Sequence, residues 1–298
     1  MAIDDQEFLV YSSQYVTKVV EATAYKSSHY ALAELVDNSI QSSLEGKSKL
    51  CEVEIIVIQK DNKIEKVLIL DNAEGMDPLT LRKSLVFGQG SKLDNIKKNR
   101  IGFGKSSKYG AGLKQSSISQ CALTEIFSWQ NNVVYKSFID SDRLNSGEIK
   151  IVPEPQKDQI PEKYLKLFKQ KISSNGTLII WNKMKKAITW KTGQGLLRNA
   201  EREMGRIYRH GIHSGKVKIR MACYNVLTEG NYKLEREFDV RANDPLFLMK
   251  NAIIEDYYKK SPGFVLFREE NFSVPNKETK INVKLSVSEL SHVDIFRQ

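Results

Sequence analysis

The segment Glu34 to Asn38 combines two carboxylates and an amide within a stretch that has the apolar spacing of a helix, residues 29–44. Glu34 and Asn38 are four residues apart, so a helix places them on one face. The Asn38 side chain offers a neutral oxygen to Mg²⁺, a cation that prefers oxygen ligands, and the Glu34 carboxylate can accept a proton from an attacking water. The same residue types also fit the solvated face of an ordinary helix, so this segment alone leaves both interpretations open.

A second polar motif, Asp71 to Met76, follows a run rich in Val, Ile and Leu that predicts a strand at 66–71. An aspartate at a strand end can accept a hydrogen bond from an exocyclic amine such as that of adenine, and Gly75 lets a flat ring approach the backbone. An ordinary strand-to-helix turn uses the same residue types and remains the alternative. Pro78 suits the first turn of the following helix, which is predicted to run to about Phe87.

The chain from Gly88 to Gly112 is rich in glycine, serine and lysine and has no clear periodicity. Long segments of this kind inside a domain are usually functional. Glycines before a helix start bring backbone N–H groups close to phosphates. Lys105, Lys108 and Lys114 add positive charge, so the segment suits a polyphosphate.

Two better-known phosphate motifs do not fit this run. Gly104 to Ser106 resembles the end of a P-loop, but Asn99 stands where that motif requires a glycine. The glycine pairs at 102/104 and 110/112 both lack the third glycine of a dinucleotide fingerprint.

The elements that position these motifs are mixed in order, with helices early and strands between them. Helices are predicted at 14–24, 29–44 and 196–212, and residues 183–195 are predicted to form a linker. Further strands are predicted at 51–58, 122–129, 132–139, 177–181, 216–226, 232–240, 263–267 and 280–287. Asn131 and Asn132 are predicted to form a hairpin turn. Because regular βαβ alternation is missing, the predicted fold class is α+β.

The net charge of +10 favours polyanionic partners such as nucleic acid, although many lysine-rich proteins carry such a charge without binding one. No run approaches the roughly 18 to 20 apolar residues of a membrane span. The N-terminus is acidic and lacks the features of a secretory signal. A cytoplasmic location is therefore expected, or a nuclear one in a eukaryotic cell.

Neither the cysteines nor the histidines predict a metal site. Cys51, Cys121 and Cys223 lie far apart in apolar contexts and are predicted to be buried thiols. His210 and His213 have a spacing that suits a metal, but no cysteine or carboxylate cluster accompanies them. A surface helix end is therefore the preferred interpretation of the pair.

The motifs in their order resemble the GHKL superfamily of ATPases, which contains gyrase, the ninety-kilodalton heat-shock chaperones, histidine kinases and MutL. The resemblance rests on E-x-x-D-N on a helix, D-x-x-x-G-M after a strand, and Y-G-x-G-L-K after the glycine-rich run. Asn175-Gly176-Thr177 resembles the fourth motif, a glycine–threonine pair that opens a strand. The stretches ELVDN, VFGQGSK, KYGAGLK and NGTLIIW are most similar to MORC-type ATPases.

The resemblance implies a Bergerat-type α/β sandwich as the ATP-binding domain over 1–185, followed by a partial transducer-like α+β domain over 186–298. It implies that Glu34 is the general base for water and that Asn38 is the Mg²⁺ ligand. Asp71 would bind the adenine amine. The implied nucleotide-binding residues are Asn38, Asp71, Gly75, Met76, Gly110, Gly112, Leu113, Lys114 and Thr177.

The chain departs from the family pattern at several places. Ala73 stands where the family often has glycine, so Asn72 is expected to take the left-handed conformation instead. The segment from Gly102 to Lys108 is longer than the usual join to the final glycine pair. The transducer lysine that reaches the γ-phosphate matches no lysine of this chain and is expected beyond Gln298.

The functional expectation is a Mg²⁺-dependent ATPase in which ATP orders a lid and drives formation of a homodimer. The resemblance and the positive charge favour action on DNA as a MORC- or MutL-like clamp, in nucleic-acid maintenance or anti-phage defence, and allow an effector domain or subunit beyond Gln298. Two alternatives remain open. A chaperone-like ATPase would remodel protein clients without salt-sensitive DNA binding, and a nucleotide-sensing assembly module would tolerate damage to motif residues that are intact here.

Overall fold

Helices and strands are mixed along the chain, as the α+β prediction expects. The structure is a computed structural model and describes residues 27–45, 50–86, 112–185, 190–253, 264–275 and 280–290. Its helices are α1 (Ser28–Glu45), α2 (Pro78–Ser84), α3 (Gly112–Gln120), α4 (Ser141–Asn145), α5 (Glu162–Leu165), α6 (Gly193–Ile207) and α7 (Arg209–His213). Its strands are β1 (Cys51–Lys60), β2 (Lys63–Asp71), β3 (Cys121–Gln130), β4 (Val133–Asp140), β5 (Gln156–Lys157), β6 (Gly176–Met184), β7 (Val217–Thr228), β8 (Asn231–Asp239), β9 (Phe264–Pro275) and β10 (Lys280–Leu290).

Eight strands form one sheet in the order β5-β4-β3-β6-β2-β1-β7-β8. Neighbouring strands are antiparallel except β1 and β7, which are parallel. β9 and β10 form a separate antiparallel pair. This mixture of sheet and helices confirms the predicted fold class.

The chain forms two compact units, one made of residues 1–200 with 216–239 and the other of 201–215 with 240–298. β7 and β8 therefore lie in the same sheet and the same unit as the strands that precede residue 185. The domain division between residues 185 and 186 stays a prediction.

The large sheet is covered differently on its two faces, because alternate side chains of a strand point to opposite sides. One face carries an apolar cluster in which α5 and the residues after it pack on the strands. The buried members of this cluster are Ile56, Ile58, Leu68, Leu70, Phe127, Trp129, Tyr164, Leu167, Leu178, Ile180 and Ala222. The opposite face carries α1 and α3, which also pack against each other. A hydrogen bond of 2.9 Å from the Trp181 indole N–H to the Ser117 hydroxyl fixes α3 on this face.

Several local predictions are confirmed. Asn131 and Asn132 have φ values of 50° and 64°, the left-handed pair that a two-residue hairpin turn requires. Helix α1 spans the predicted segment with one additional residue at each end. The three thiols are buried, and His210 and His213 lie exposed on α7. The predicted helix at 14–24 lies outside the described residues.

The predicted linker at 183–195 is wrong at both ends. β6 continues to Met184 because the polar Asn182 side chain has partners there, the Lys66 ammonium and the Glu125 carboxylate. Helix α6 begins at Gly193, whose backbone N–H donates to the Gln59 side chain over 2.8 Å. In both β6 and α6, a hydrogen-bond partner on a distant strand thus extends the element beyond the bounds that the local sequence predicts.

Among the described residues, no helix is both long and apolar enough to cross a membrane.

A buried ion cluster joins β1, β7 and β8 on the face that carries α5. The Arg220 guanidinium, whose side chain is 7% exposed, donates to Glu54 and, over 2.7 Å, to Glu237. Burial alone would lower the pKa of Arg220, but the hydrogen bonds that its guanidinium donates to both carboxylates raise the pKa above its ordinary value. Glu54 also accepts the backbone N–H groups of Lys169 and Gln170, so the cluster fixes the segment after α5 to the sheet.

We expect Arg220→Ala to lower the free energy of unfolding by about 3 to 5 kcal/mol, because the Glu54 carboxylate is then buried without its counter-ion. The measurement is urea denaturation. Lys218→Ala is the matched control, two residues away on β7, because the Lys218 ammonium is exposed and lies 3.5 Å from Glu52. Its loss should cost at most about 1 kcal/mol. Equal losses in the two variants would contradict the assigned role of the cluster.

Candidate nucleotide-binding site

The Asp71 carboxylate ends β2 on the helix-bearing face, where it is 7% exposed. It accepts hydrogen bonds from three different elements: the Ser39 hydroxyl of α1 at 2.8 Å, the Ala73 N–H at 3.0 Å and the Thr177 N–H of β6 at 3.1 Å. Burial raises the pKa of Asp71 to about 6, although these three hydrogen bonds act in the opposite direction. A buried carboxylate therefore holds α1, the turn after β2 and the start of β6 together.

Asp71 retains the capacity to bind a ligand donor. An ionised carboxylate has roughly four acceptor positions, and the described residues use three of them. The remaining position suits an N–H donor such as an exocyclic amine. This arrangement matches the role that the sequence predicts for Asp71, which stays a prediction.

The turn after β2 lies against β3 at Gly75. Gly75 has a φ of +66°, and a Cβ atom built there would lie 2.0 Å from the Trp129 carbonyl oxygen. No side chain fits this position, so glycine is required both by the backbone angle and by the close approach.

The expectation that Asn72 is left-handed is wrong. Within residues 71–77, all of which the structure describes, the positive φ is at Gly75. Asn72 instead anchors the turn on β1, since its side-chain oxygen accepts the Glu52 N–H at 2.9 Å and its amide donates to the Leu50 carbonyl at 3.2 Å. The turn tolerates Ala73 because the reversal of direction occurs two residues later.

Met76 and Thr177 are linked through a residue that the sequence analysis did not identify. The Met76 N–H donates to the Ser128 hydroxyl at 2.8 Å, and this hydroxyl lies 3.0 Å from the Thr177 hydroxyl. Ser128 is fully buried. Both predicted residues therefore lie at the same end of the sheet as Asp71.

Glu34 and Asn38 lie half-buried on α1, whose apolar stripe includes the buried Leu32 and Leu35. The Glu34 carboxylate lies against the start of α3, because a Cβ atom built on Gly112 would be 2.0 Å from Glu34 Oε1. The structure thus brings together the helix motif and the end of the glycine-rich run. These two segments are more than seventy residues apart in the sequence.

Lys114 lies inside the structure at the base of the glycine-rich run. Its side chain is fully buried, and its ammonium donates to the Val86 carbonyl at 2.5 Å. Burial lowers the pKa of Lys114 to about 8. Val86 is the last described residue before the run, so Lys114 joins the chain on both sides of it. The predicted phosphate contact of Lys114 stays a prediction.

The other residues of the glycine-rich motif are only partly described. Leu113 follows Gly112 in the first turn of α3 and is half-buried. Gly110, like the rest of 87–111, lies outside the described residues.

Two contributing residues were missed by sequence reasoning, Ser39 and Ser128. Ser39 directly follows Asn38 and occupies a buried position of α1, where a polar residue requires a partner. Ser128 likewise is a polar residue on the same face of β3 as the buried apolar Ile126. A polar residue at an apolar position was the available signal for both.

The donor set fits Mg²⁺ only in combination with a phosphate ligand. The described residues contain no group of three or more histidine, cysteine or carboxylate side chains that could hold a metal. Mg²⁺ is commonly held by one or two protein oxygens together with substrate phosphates and water. The Asn38 amide oxygen, one helical turn from Glu34, suits such a partial site.

A sheet that carries α1 and α3 on one face, with a buried carboxylate beside a glycine turn and a second glycine at a helix start, is the arrangement expected of a nucleotide-binding domain of the GHKL class. Residues 25–174, about half of the chain, match the family described as histidine kinase-, DNA gyrase B-, and HSP90-like ATPase. The chain belongs to this family.

Three proteins of Arabidopsis thaliana are similar to the chain over 107 residues: Protein MICRORCHIDIA 5 at 34% identity, and Protein MICRORCHIDIA 1 and Protein MICRORCHIDIA 2 at 35%. The matched segment covers 36% of this chain but only 14, 15 and 16% of MICRORCHIDIA 5, 1 and 2. The predicted likeness to the MORC branch is confirmed at this level.

The raised pKa of Asp71 makes the free energy of unfolding depend on pH. Asp71 binds its proton more tightly in the folded chain, with a pKa of about 6 against 3.8 in the unfolded reference. Its contribution to stability is therefore fully present below pH 3.8 and is lost as the pH rises through 6. We expect the free energy of unfolding of Asp71→Asn, relative to the unchanged chain, to rise by about 2 kcal/mol between pH 4 and pH 7.

This difference is measured by urea denaturation of both proteins in the same buffers, so that the titration of all other groups cancels. Asn lacks one of the acceptor oxygens, which shifts the whole curve but not its dependence on pH. A relative stability that stays constant, or that falls with rising pH, would rule out a raised pKa for Asp71.

Proposed function

We propose that the chain is a Mg²⁺-dependent ATPase that converts ATP and water to ADP and phosphate. The observation that carries this proposal is the buried Asp71 carboxylate, which is fixed by three elements and keeps one acceptor position for a ligand. Membership of the ATPase family supports the proposal. So does the position of Glu34 beside Gly112.

The adenine is proposed to bind at the end of the sheet formed by β3, β6 and β2. Asp71 accepts the exocyclic amine, and the Gly75 turn lies beside the ring. Thr177 joins this network through water, and Met76 contributes to the same wall. The pairing of Asp71 with Thr177 across β2 and β6 supports this arrangement, because paired residues project to the same face.

The phosphates are proposed to lie at the start of α3. Gly112 and Leu113 supply backbone N–H groups of the first helical turn, which have no partner within the helix and favour an anion. Gly110 and Lys114 complete the set by resemblance to the family. Asn38 would hold Mg²⁺, which would neutralise charge on the phosphate oxygens.

Glu34 is proposed to act as the general base. Its carboxylate takes a proton from water while the water oxygen forms a bond to the terminal phosphorus. The bond from that phosphorus to the bridging oxygen breaks, and ADP leaves. The position of Glu34 next to the first residue of α3 supports this role, because the phosphates are proposed to bind at that helix start.

The proposal extends to a clamp that acts on DNA. ATP binding would order the glycine-rich run as a lid and drive N-terminal dimerisation, in nucleic-acid maintenance or anti-phage defence. The similarity to the MICRORCHIDIA proteins and the net charge of +10 support this extension. A chaperone-like ATPase and a nucleotide-sensing assembly module are the alternative outcomes of the tests below.

For the pocket, we expect Asn38→Ala to lose the Mg²⁺-dependent part of ATP binding. We expect Glu34→Ala to bind ATP but to turn it over at least a hundredfold more slowly, because a general base usually contributes at least this factor. Binding is measured by titration calorimetry with and without Mg²⁺, and turnover by phosphate release. Asp37→Ala is the control on α1 for loss of a carboxylate. ATP binding that is absent from the unchanged chain would refute the proposal, and binding without turnover would favour the nucleotide-sensing module.

For the clamp, we expect ATP to hold the Glu34→Ala variant as a dimer, because it binds without hydrolysis. Light scattering during size-exclusion chromatography measures its mass with and without ATP. Duplex DNA binding is titrated at two salt concentrations and should weaken as salt rises. A variant that stays monomeric in saturating ATP contradicts the clamp, and salt-insensitive or absent DNA binding favours the chaperone-like alternative.

A further inference from the structure

The end of β3 contacts both of the motifs that are assigned to the adenine side of the pocket. The Ser128 hydroxyl accepts the Met76 N–H at 2.8 Å and lies 3.0 Å from the Thr177 hydroxyl and 3.3 Å from the Gly176 carbonyl oxygen. Its polar contacts thus reach the turn after β2 on one side and the start of β6 on the other.

The two residues after Ser128 fix the same turn. The Trp129 carbonyl oxygen lies so close to Gly75 that a Cβ atom there would approach it to 2.0 Å. The Gln130 amide donates to the Gly75 carbonyl at 3.3 Å. Three consecutive residues of β3 therefore determine where Gly75 and Met76 lie.

The same strand end also holds the approach to β6. The Trp129 indole N–H donates to the Ser173 carbonyl at 2.9 Å, and the Asn131 N–H donates to the Asn175 side chain at 2.9 Å. Asn132 N–H donates to the Ser174 carbonyl at 2.8 Å. The Asn175-Gly176-Thr177 motif thus depends on β3 and its hairpin for its position.

The sheet register places the relevant side chains in one row. Ser128 pairs with Thr177 across β3 and β6, and Thr177 pairs with Asp71 across β6 and β2. Paired residues project to the same face, about 5 Å apart. Ser128 therefore lies in the same row as Asp71, with Thr177 between them.

We propose that the end of β3, Ser128 to Gln130, positions both adenine-side motifs, and that Ser128 is a positioning residue that determines selectivity for the adenine base. This inference rests on the proposed ATPase function. Ser128 acts on the base side through Met76 and Thr177, whereas the groups assigned to Mg²⁺ and water, Asn38 and Glu34, lie on α1. Removal of the Ser128 hydroxyl therefore weakens nucleotide binding and base selectivity. The rate at which bound ATP is hydrolysed stays unchanged.

The test compares Ser128→Ala with Ser137→Ala. Ser137 is a buried serine on the adjacent strand β4, and its hydroxyl has no hydrogen-bond partner among the described residues. Both changes remove one buried hydroxyl from the sheet, but only one of these hydroxyls contacts the predicted pocket. Dissociation constants for ATP and for inosine triphosphate, which lacks the exocyclic amine, are measured by titration calorimetry with Mg²⁺.

We expect Ser128→Ala to weaken ATP binding about tenfold, the effect of one hydrogen bond in such a network, and to weaken inosine triphosphate binding less. The preference for ATP over inosine triphosphate should therefore fall, while kcat stays within about twofold of the unchanged chain. Ser137→Ala should keep both affinities and the preference. A loss of folding alone would not change the ratio of the two affinities in the remaining folded protein.

Gln130→Ala provides a second variant at the surface end of the same strand and should weaken ATP binding by about threefold. It decides the question if Ser128→Ala does not fold. If the unchanged chain binds ATP and the β3 variants match Ser137→Ala, this inference is wrong and the proposed function stands. If the unchanged chain binds neither nucleotide, the proposed function itself is wrong.

Discussion

The buried carboxylate of Asp71 must be hydrogen-bonded, because a carboxylate removed from water without partners is strongly destabilising. Its partners come from α1, from the turn after β2 and from β6. Since Ser39 adjoins Asn38 and lies little more than a helical turn after Glu34, this one carboxylate fixes the helix that carries the proposed catalytic groups against the end of the sheet. The position of the chemistry thus depends on an interaction on the base side of the pocket.

Close backbone approach is the second constraint, and it explains why glycines recur in these motifs. Gly75 lies against the Trp129 carbonyl, and Gly112 lies against the Glu34 carboxylate. A Cβ atom on Gly176 would approach the Asp71 carbonyl oxygen to 2.6 Å. Each glycine permits a contact between two parts of the protein itself, so these positions are required for packing whether or not a nucleotide is bound.

The local sequence predicts what depends on local geometry. Asp71 at a strand end, Gly75 in the following turn and the Asn131-Asn132 hairpin all follow from short-range preferences, and the structure confirms their positions. The family resemblance supplied the pairing of Glu34 with the glycine-rich motif, which no local pattern contains. Local patterns do not identify Ser39 and Ser128, because their hydrogen-bond partners are distant in the sequence. Ser39 is 32 residues from Asp71, and Ser128 is 52 residues from Met76.

Asn72 and Lys114 show why residue type alone is insufficient. Asn72 was expected to make the turn because asparagine tolerates a positive φ, but its side chain hydrogen-bonds to β1 and the glycine later in the turn reverses the chain. The phosphate contact of Lys114 stays a prediction, and its residue type does not indicate the hydrogen bond that its ammonium donates to the Val86 carbonyl. In both cases a hydrogen bond to a distant backbone decides the position of a polar side chain.

Under the proposed function, the two faces of the sheet have different tasks, one structural and one in ligand binding. On the face with α5, Arg220 is surrounded by carboxylates, so its charge is balanced within the protein. On the opposite face, Asp71 has hydroxyl and N–H partners, and burial raises its pKa, so the ionised form that it takes at neutral pH is held at a cost in free energy. A ligand that donates a hydrogen bond to the ionised form offsets this cost. Under the proposed function, adenine binding therefore stabilises the fold at the same residue that it uses for recognition.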